Sequence, residues 1–195
     1  MLGKPPTRFQ AKGRNILKNK DMAKMCGNGA DFALVKQERS RTIVGYELKQ
    51  IQGSELSEWH EVYFPRKVVD LPSLEQVKKA VLEDIDRQTD AKILNGYQFT
   101  PDGAQEPITV WLSKENQTNF SEAHRLEIVP IKFKLNETDD QQAIYHEFTT
   151  FAELDRFYKG GVQYINQCLN EGWARKDALD WDVYEAALEA LKPCE

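Results

Sequence analysis

The chain has 195 residues, a net charge of −5 and three cysteines, and a chain of this length buries roughly 70% of its unfolded surface, enough for a full core without disulfides. Cys26, Cys168 and Cys194 are far apart and lack the paired spacing of a zinc or redox site, so reduced thiols and a cytosolic compartment are expected. No apolar run approaches the roughly 20 residues of a membrane span, and the start MLGKPPTRFQAKGR has no hydrophobic stretch of a signal peptide, so no membrane role is expected.

The charge is unevenly placed. Residues 1–24 carry Lys4, Arg8, Lys12, Arg14, Lys18, Lys20 and Lys24 against Asp21 alone, a net +6 that leaves −11 for the remainder. Residues 1–29 therefore read as a flexible basic arm before an acidic body. Such an arm suits nucleic acid, an acidic protein surface, or the body of a neighbouring copy in a homo-oligomer. CGNGAD (26–31) has two glycines but neither the lysine of a phosphate-binding loop nor a preceding strand, and reads as a turn.

Residues 30–69 read as a small antiparallel β module. DFALVKQ and RTIVGYELKQI alternate or cluster β-branched and apolar residues around ERS, and EWHEVYFPRKVV supplies a third strand closing at Pro65. Alternation places Trp59, Glu61 and Tyr63 on one face and Val62 and Phe64 on the other. An apolar patch at Trp59 and Tyr63 would mark an interface.

Residues 70–195 read as an α+β domain. Ser73 and Gln76 match a capping box, and Leu74, Val77, Val81 and Ile85 form one stripe, with Glu75, Lys79, Glu83, Asp84 and Asp86 largely off it. GYQFT and PITVWL flank a Pro-Asp-Gly turn, and PIKFKL and AIYHEF flank NETDDQ, giving two hairpins that join into one antiparallel sheet with helices on one face. Thr150 with Glu153 reads as a second capping box. It opens a helix with Leu154, Tyr158, Val162, Ile165 and Leu169 along one stripe. Gly160 and Gly161 interrupt it and imply either close packing or a kink. Asp180 caps a terminal helix carrying Tyr184.

VWLSKENQTNF (110–120) admits three readings. As a nucleophile and base, Ser113 and Lys114 fail, because adjacent helical residues do not face each other and Asn116 stands where the lysine of Ser-x-x-Lys belongs. The sequons at Asn116, Asn119 and Asn136 are chance matches without a secretory signal. Ser113 as a helix cap fits best. His60, His124 and His146 have no partner at a metal-ligand spacing, and His146, between Ile144 and Phe148 on one strand face, reads as a hydrogen-bonded sheet histidine. Trp111, Trp173 and the aromatics around them read as core residues, with no basic interleaving for base stacking. The expectation is no catalytic, cofactor or metal site.

DIDRQTDAKILNGYQF, VWLSKENQTNF, PIKFKL, AIYHEFTTFAELDRFY and YINQCLNEGWARKDALDW together resemble a domain-of-unknown-function family met in bacteriophage and prophage genomes, often near tail genes, over about residues 70–184. WDVYEAAL is similar to the terminal Trp-x-x-Tyr-Arg helix of phage tail-fibre assembly proteins. Trp181 and Tyr184 match, and Glu185 stands in place of arginine. The resemblance implies no catalytic residues. It implies a non-enzymatic virion- or tail-associated protein, or a tail assembly chaperone, whose partners are phage structural proteins and whose place is the virion or the host cytoplasm. Trp181 and Tyr184 join Trp59 and Tyr63 as candidate interface residues. A host-directed or nucleic-acid-associated accessory protein is the alternative that the basic arm suggests.

Overall fold

The computed structural model describes residues 22–67 and 71–192. The described residues divide into two compact units, one of those up to 72 with those from 187 on and one of residues 73–186. The fold is α+β with antiparallel sheets throughout. No helix among the described residues is long and apolar enough to cross a membrane.

The first unit holds β1 (Met22–Asn28), a 3-10 turn (Gly29–Asp31), β2 (Val35–Gln37), β3 (Arg41–Gln50) and β4 (Leu56–Pro65), in the sheet order β1-β4-β3-β2. The meander β2-β3-β4 follows the sequence expectation, and β1 corrects it. Residues 22–28 are an antiparallel strand on β4, with Lys24 opposite His60 and Asn28 opposite Leu56, where the sequence suggested the end of an arm. Its residues have little intrinsic preference for strand, and the edge offered by β4 decides the conformation. The turn expected over 26–31 shrinks to Gly29–Asp31, capped by the Asn28 side chain, which accepts from the Ala30 N–H at 3.1 Å.

β3 is buried on both faces from Thr42 to Tyr46. A side chain at Gly45 would stand 2.7 Å from the Phe32 ring and from the Ala33 carbonyl. Phe32 thus packs over Gly45 and meets Trp59 edge to face at 6.2 Å. Glu61 completes the expected face, accepting from Trp59 Nε1 at 2.9 Å and from the Tyr63 hydroxyl at 2.7 Å. A buried carboxylate is tolerated there because both its oxygens are engaged.

The second unit runs α1 (Leu74–Gly96), β5 (Tyr97–Phe99), β6 (Ile108–Val110), α2 (Lys114–Arg125), β7 (Ile131–Glu137), β8 (Ala143–Phe148), α3 (Phe151–Asp177) and α4 (Trp181–Glu189), which ends in the other unit's span. Local chemistry sets the boundaries. Ser73 and Gln76 form the full reciprocal capping box, Ser113 accepts from the Asn116 N–H at 3.2 Å, and Asp180 accepts from the Asp182 N–H at 3.1 Å. α2 stops in a Schellman turn. The Ile128 N–H donates to the Ala123 carbonyl at 3.0 Å and the Glu127 N–H to the His124 carbonyl at 3.2 Å, with Glu127 in the left-handed region at φ 52°.

The two hairpins form separate ladders rather than one continuous sheet. They meet edge to edge where the Trp111 N–H donates to the Leu135 carbonyl at 2.8 Å and Asn136 Nδ2 to the Thr109 carbonyl at 2.9 Å. A register shift on β7 between Lys134 and Asn136 breaks the regular pairing at that point. The core on the helix side gathers around Phe157, whose ring lies 4.8 Å from Phe148, 4.9 Å from Phe99 and Phe120, and 5.9 Å from Tyr97.

α3 is continuous through Gly160 and Gly161, and Tyr97 packs against the pair, so the close packing expected there is present. Its most buried positions are Glu153, Leu154, Phe157, Gly161, Cys168 and Gly172. The expected stripe lies partly around the helix from there, with Val162 38% exposed. Thr150 caps the helix, but Glu153 does not return to close a box. Its carboxylate instead accepts from the Asp102 N–H at 2.9 Å and meets His146 Nε2 at 3.0 Å.

Truncating the central ring is expected to be the most damaging single core change. Phe157→Ala should lower unfolding free energy by about 3–5 kcal/mol, read by urea denaturation. A cost below about 1 kcal/mol would contradict the placement of this ring at the centre of the core.

Candidate functional site

A cleft of about 540 Å³ opens between α2 and α3. Its floor is Tyr97, Leu112, Phe120 and Phe157, and its α3 wall is Tyr158, Val162 and Ile165. The opposite rim is one polar face of α2, namely Lys114, Gln117, Thr118, Ser121 and Glu122. These residues recur at helical spacings of three and four, so the rim is a single stripe. Gly161 leaves the floor without a side chain, and one added there would meet Tyr97 at 3.6 Å and Leu112 at 4.0 Å, ordinary contact distances.

Tyr97 sets the depth. Its hydroxyl donates to the Phe157 carbonyl at 2.8 Å, and an atom in the Cβ position of Gly160 would stand 2.5 Å from that hydroxyl. Burial pushes its ionisation up to about 12 from an ordinary value of 10.0. Beside the cleft, Tyr158 stacks on His124 at 4.2 Å, and His124 Nε2 meets Asp155 at 2.8 Å. Bonds from Lys159 first and His124 second hold the Asp155 carboxyl below its usual range.

The charges at the rim are unequal in effect. Glu122 accepts from Arg125 at 2.6 Å, and that bond lowers its carboxyl from the usual range. Lys114 forms no ion pair among the described residues. Ser121 is half-buried and makes no hydrogen bond through its side chain among them.

The face of β5–β8 away from the helices is open and carries a second group of residues. Gln98 and Thr109 bond across the first hairpin at 2.8 Å. Beyond them Lys134 lies over the Trp111 ring at 5.8 Å, and Lys132 over the Tyr145 ring at 5.0 Å. Trp111 is 36% exposed and Tyr145 55%. Lys134 also pairs with Glu137, and Lys132 stands opposite Glu147 in the ladder.

Of the interface residues expected from sequence, those described do not line the cleft. Lys4, Arg8, Lys12, Arg14, Lys18 and Lys20 lie outside the described residues, and Lys24 sits on β1 paired with Glu58 at 2.7 Å. Trp59 is 3% exposed and is spent on its contacts with Phe32 and Glu61, so it does not present an apolar patch. Tyr63 is half-buried against Glu61 and beneath Arg41, 4.4 Å from its ring. Tyr184 is buried and packs on Trp181 at 5.4 Å, with Lys78 over the Trp181 ring at 5.6 Å. Trp111 and Trp173, expected in the core, are exposed. The basic interleaving expected to be missing is present at Lys132 and Lys134.

Sequence reasoning also missed Asp84. It is 1% exposed on the buried side of α1, where it pairs with Arg87 and accepts from Gln88 Nε2 at 3.1 Å. An acidic residue one turn before an arginine and a glutamine is a signal for such a pair, but not for its burial. His146 behaves as expected, bonded to Glu153 with its ring edge against Phe148 at 4.6 Å. No protein family, curated protein or solved structure matches this chain.

The raised ionisation of Tyr97 predicts a pH dependence of stability. The neutral phenol is favoured in the folded state, so its contribution is complete below about pH 10 and is lost as pH rises towards about 12. Urea denaturation at pH 8 and pH 11.5 should show a smaller loss for Tyr97→Phe than for the unmodified chain. An equal loss would place the phenol in water.

Proposed function

We propose that this chain is a non-enzymatic bacteriophage or prophage protein, virion- or tail-associated, that acts by binding another protein through the open face of β5–β8. The phage setting rests on the resemblance of residues 70–184, and the mode of action rests on that face. The observation that carries it is the exposure of Trp111 and Tyr145 on one open sheet surface. Large aromatic side chains left at a surface are the usual anchors of protein interfaces, since they bury much area while losing little conformational freedom.

The histidines and buried carboxylates support the binding reading. His124 and His146 bond Asp155 and Glu153, and Glu61 bonds Trp59 and Tyr63. The two histidine bonds tie α2 and β8 to α3, and the Glu61 bonds hold one face of β4. Trp181 and Tyr184 pack on each other, which does not favour the assembly-chaperone reading of the terminal helix.

The nucleic-acid reading draws on Lys132 and Lys134 over the aromatic rings. Charge disfavours it on this face, and the basic residues of the arm that suggests it lie outside the described residues except for Lys24. Glu137 and Glu147 offset the two lysines, and nucleic-acid affinity at ordinary salt depends on uncompensated cations that displace counterions from phosphates.

Co-sedimentation with purified particles of the source phage or induced prophage, followed by mass spectrometry of the retained chain, tests the proposal. The double variant Trp111→Ser, Tyr145→Ser should retain its circular dichroism spectrum and bind at least about tenfold more weakly. Unchanged binding by the double variant would move the interface elsewhere. Salt-sensitive binding to a single-stranded oligonucleotide, lost in the same variant, would replace the protein partner with nucleic acid.

A further inference from the structure

We infer that the cleft between α2 and α3 is a binding site for a small apolar carboxylate. The site is separate from the open sheet face, so this inference stands or falls independently of the protein-binding reading.

Size and lining point to a small molecule. The volume of about 540 Å³ falls within the roughly 300–1,000 Å³ typical of ligand pockets, which combine apolar walls with a few polar groups. Here Tyr97, Leu112, Phe120 and Phe157 form the floor and Val162 and Ile165 the far wall. Gly161 keeps that floor open. The cleft therefore takes an apolar body laid along α3.

Charge selects the head group. Two ionised side chains line the cleft, Lys114 and Glu122. Arg125 neutralises Glu122, whereas Lys114 has no ion-pair partner among the described residues. The uncompensated charge in the lining is one positive, and a single carboxylate complements it. Placed at Lys114, that carboxylate sends the apolar body past Gln117 and Thr118 towards Ser121, two helical turns away or roughly 10 Å along α2. The Ser121 hydroxyl, which makes no hydrogen bond among the described residues, then joins Glu122 at the polar end of that stripe.

The alkyl ammonium of equal length is the matching control, because it offers the same apolar body with the opposite charge. Isothermal titration of the full chain with decanoate, below the concentration at which it forms micelles, should show saturable binding at one site. Decylamine should bind at least tenfold more weakly. Lys114→Glu should weaken decanoate at least tenfold and narrow or reverse the preference over decylamine. Gly161→Leu should abolish binding of both by filling the floor, and Gly161→Ala, whose methyl fits at ordinary contact distances, should weaken decanoate while preserving the fold. Saturable decanoate binding that Lys114→Glu leaves unchanged, equal binding of decylamine, or no binding of decanoate would each overturn the assignment.

Discussion

The second unit depends on the close approach of Tyr97 to the backbone of α3. The phenol reaches the Phe157 carbonyl at 2.8 Å over a stretch of helix that carries two consecutive glycines. No other residue leaves room at Gly160, where a Cβ would meet the hydroxyl at 2.5 Å. In exchange for weaker helix propensity, roughly 1 kcal/mol per glycine relative to alanine, the first residue of β5 is fixed against the helix. The same device recurs along the α1–α3 contact. Thr89 fills the space over Gly172, and Tyr164 lies against Gly96 while its hydroxyl donates to the Lys92 carbonyl at 2.9 Å.

That contact also shapes both candidate surfaces. Pinning Tyr97 sets β5 at a fixed distance from α3 and brings Phe99 onto Phe157. The hairpins then turn their apolar sides to the helices and leave Trp111 and Tyr145 on the other side. On the helix side, α3 spends its narrowest face on Tyr97 and α1. Its next face, Tyr158, Val162 and Ile165, is left to wall the cleft with α2. A stripe of apolar residues and a stripe of glycines on one helix thus have different tasks: the first lines an opening, and the second permits contact.

What was legible in the sequence was mostly local chemistry. Ser73, Ser113, Thr150 and Asp180 each stand at the helix start that their hydrogen-bonding side chains predict. The meander and both later hairpins follow from alternation and turn residues. The misses share a physical cause, which is that tertiary contact overrides local pattern. β1 has weak strand propensity and exists because β4 offers it an edge. The glycines of α3 interrupt its apolar stripe in the sequence, although in the fold they are contact positions for Tyr97 and Thr89. Alternation correctly grouped Trp59, Glu61 and Tyr63, but could not show that Phe32 covers that face, nor that the face bearing Trp111 is left open. The cleft needed the spatial pairing of α2 with α3, which no spacing within either helix reports.

The most direct measurement of the central claim is a double-mutant cycle between Gly160 and Tyr97, with unfolding free energies from urea denaturation at neutral pH. If the phenol occupies the space over Gly160, Gly160→Ala costs about 1–3 kcal/mol through overpacking. In the Tyr97→Phe background that penalty should shrink, and alanine's helix advantage of about 1 kcal/mol should bring the net change near zero or make it favourable. A coupling of at least about 1 kcal/mol between the two sites is therefore predicted. The same cost for Gly160→Ala in both backgrounds would contradict the contact and, with it, the reason α3 carries its glycines.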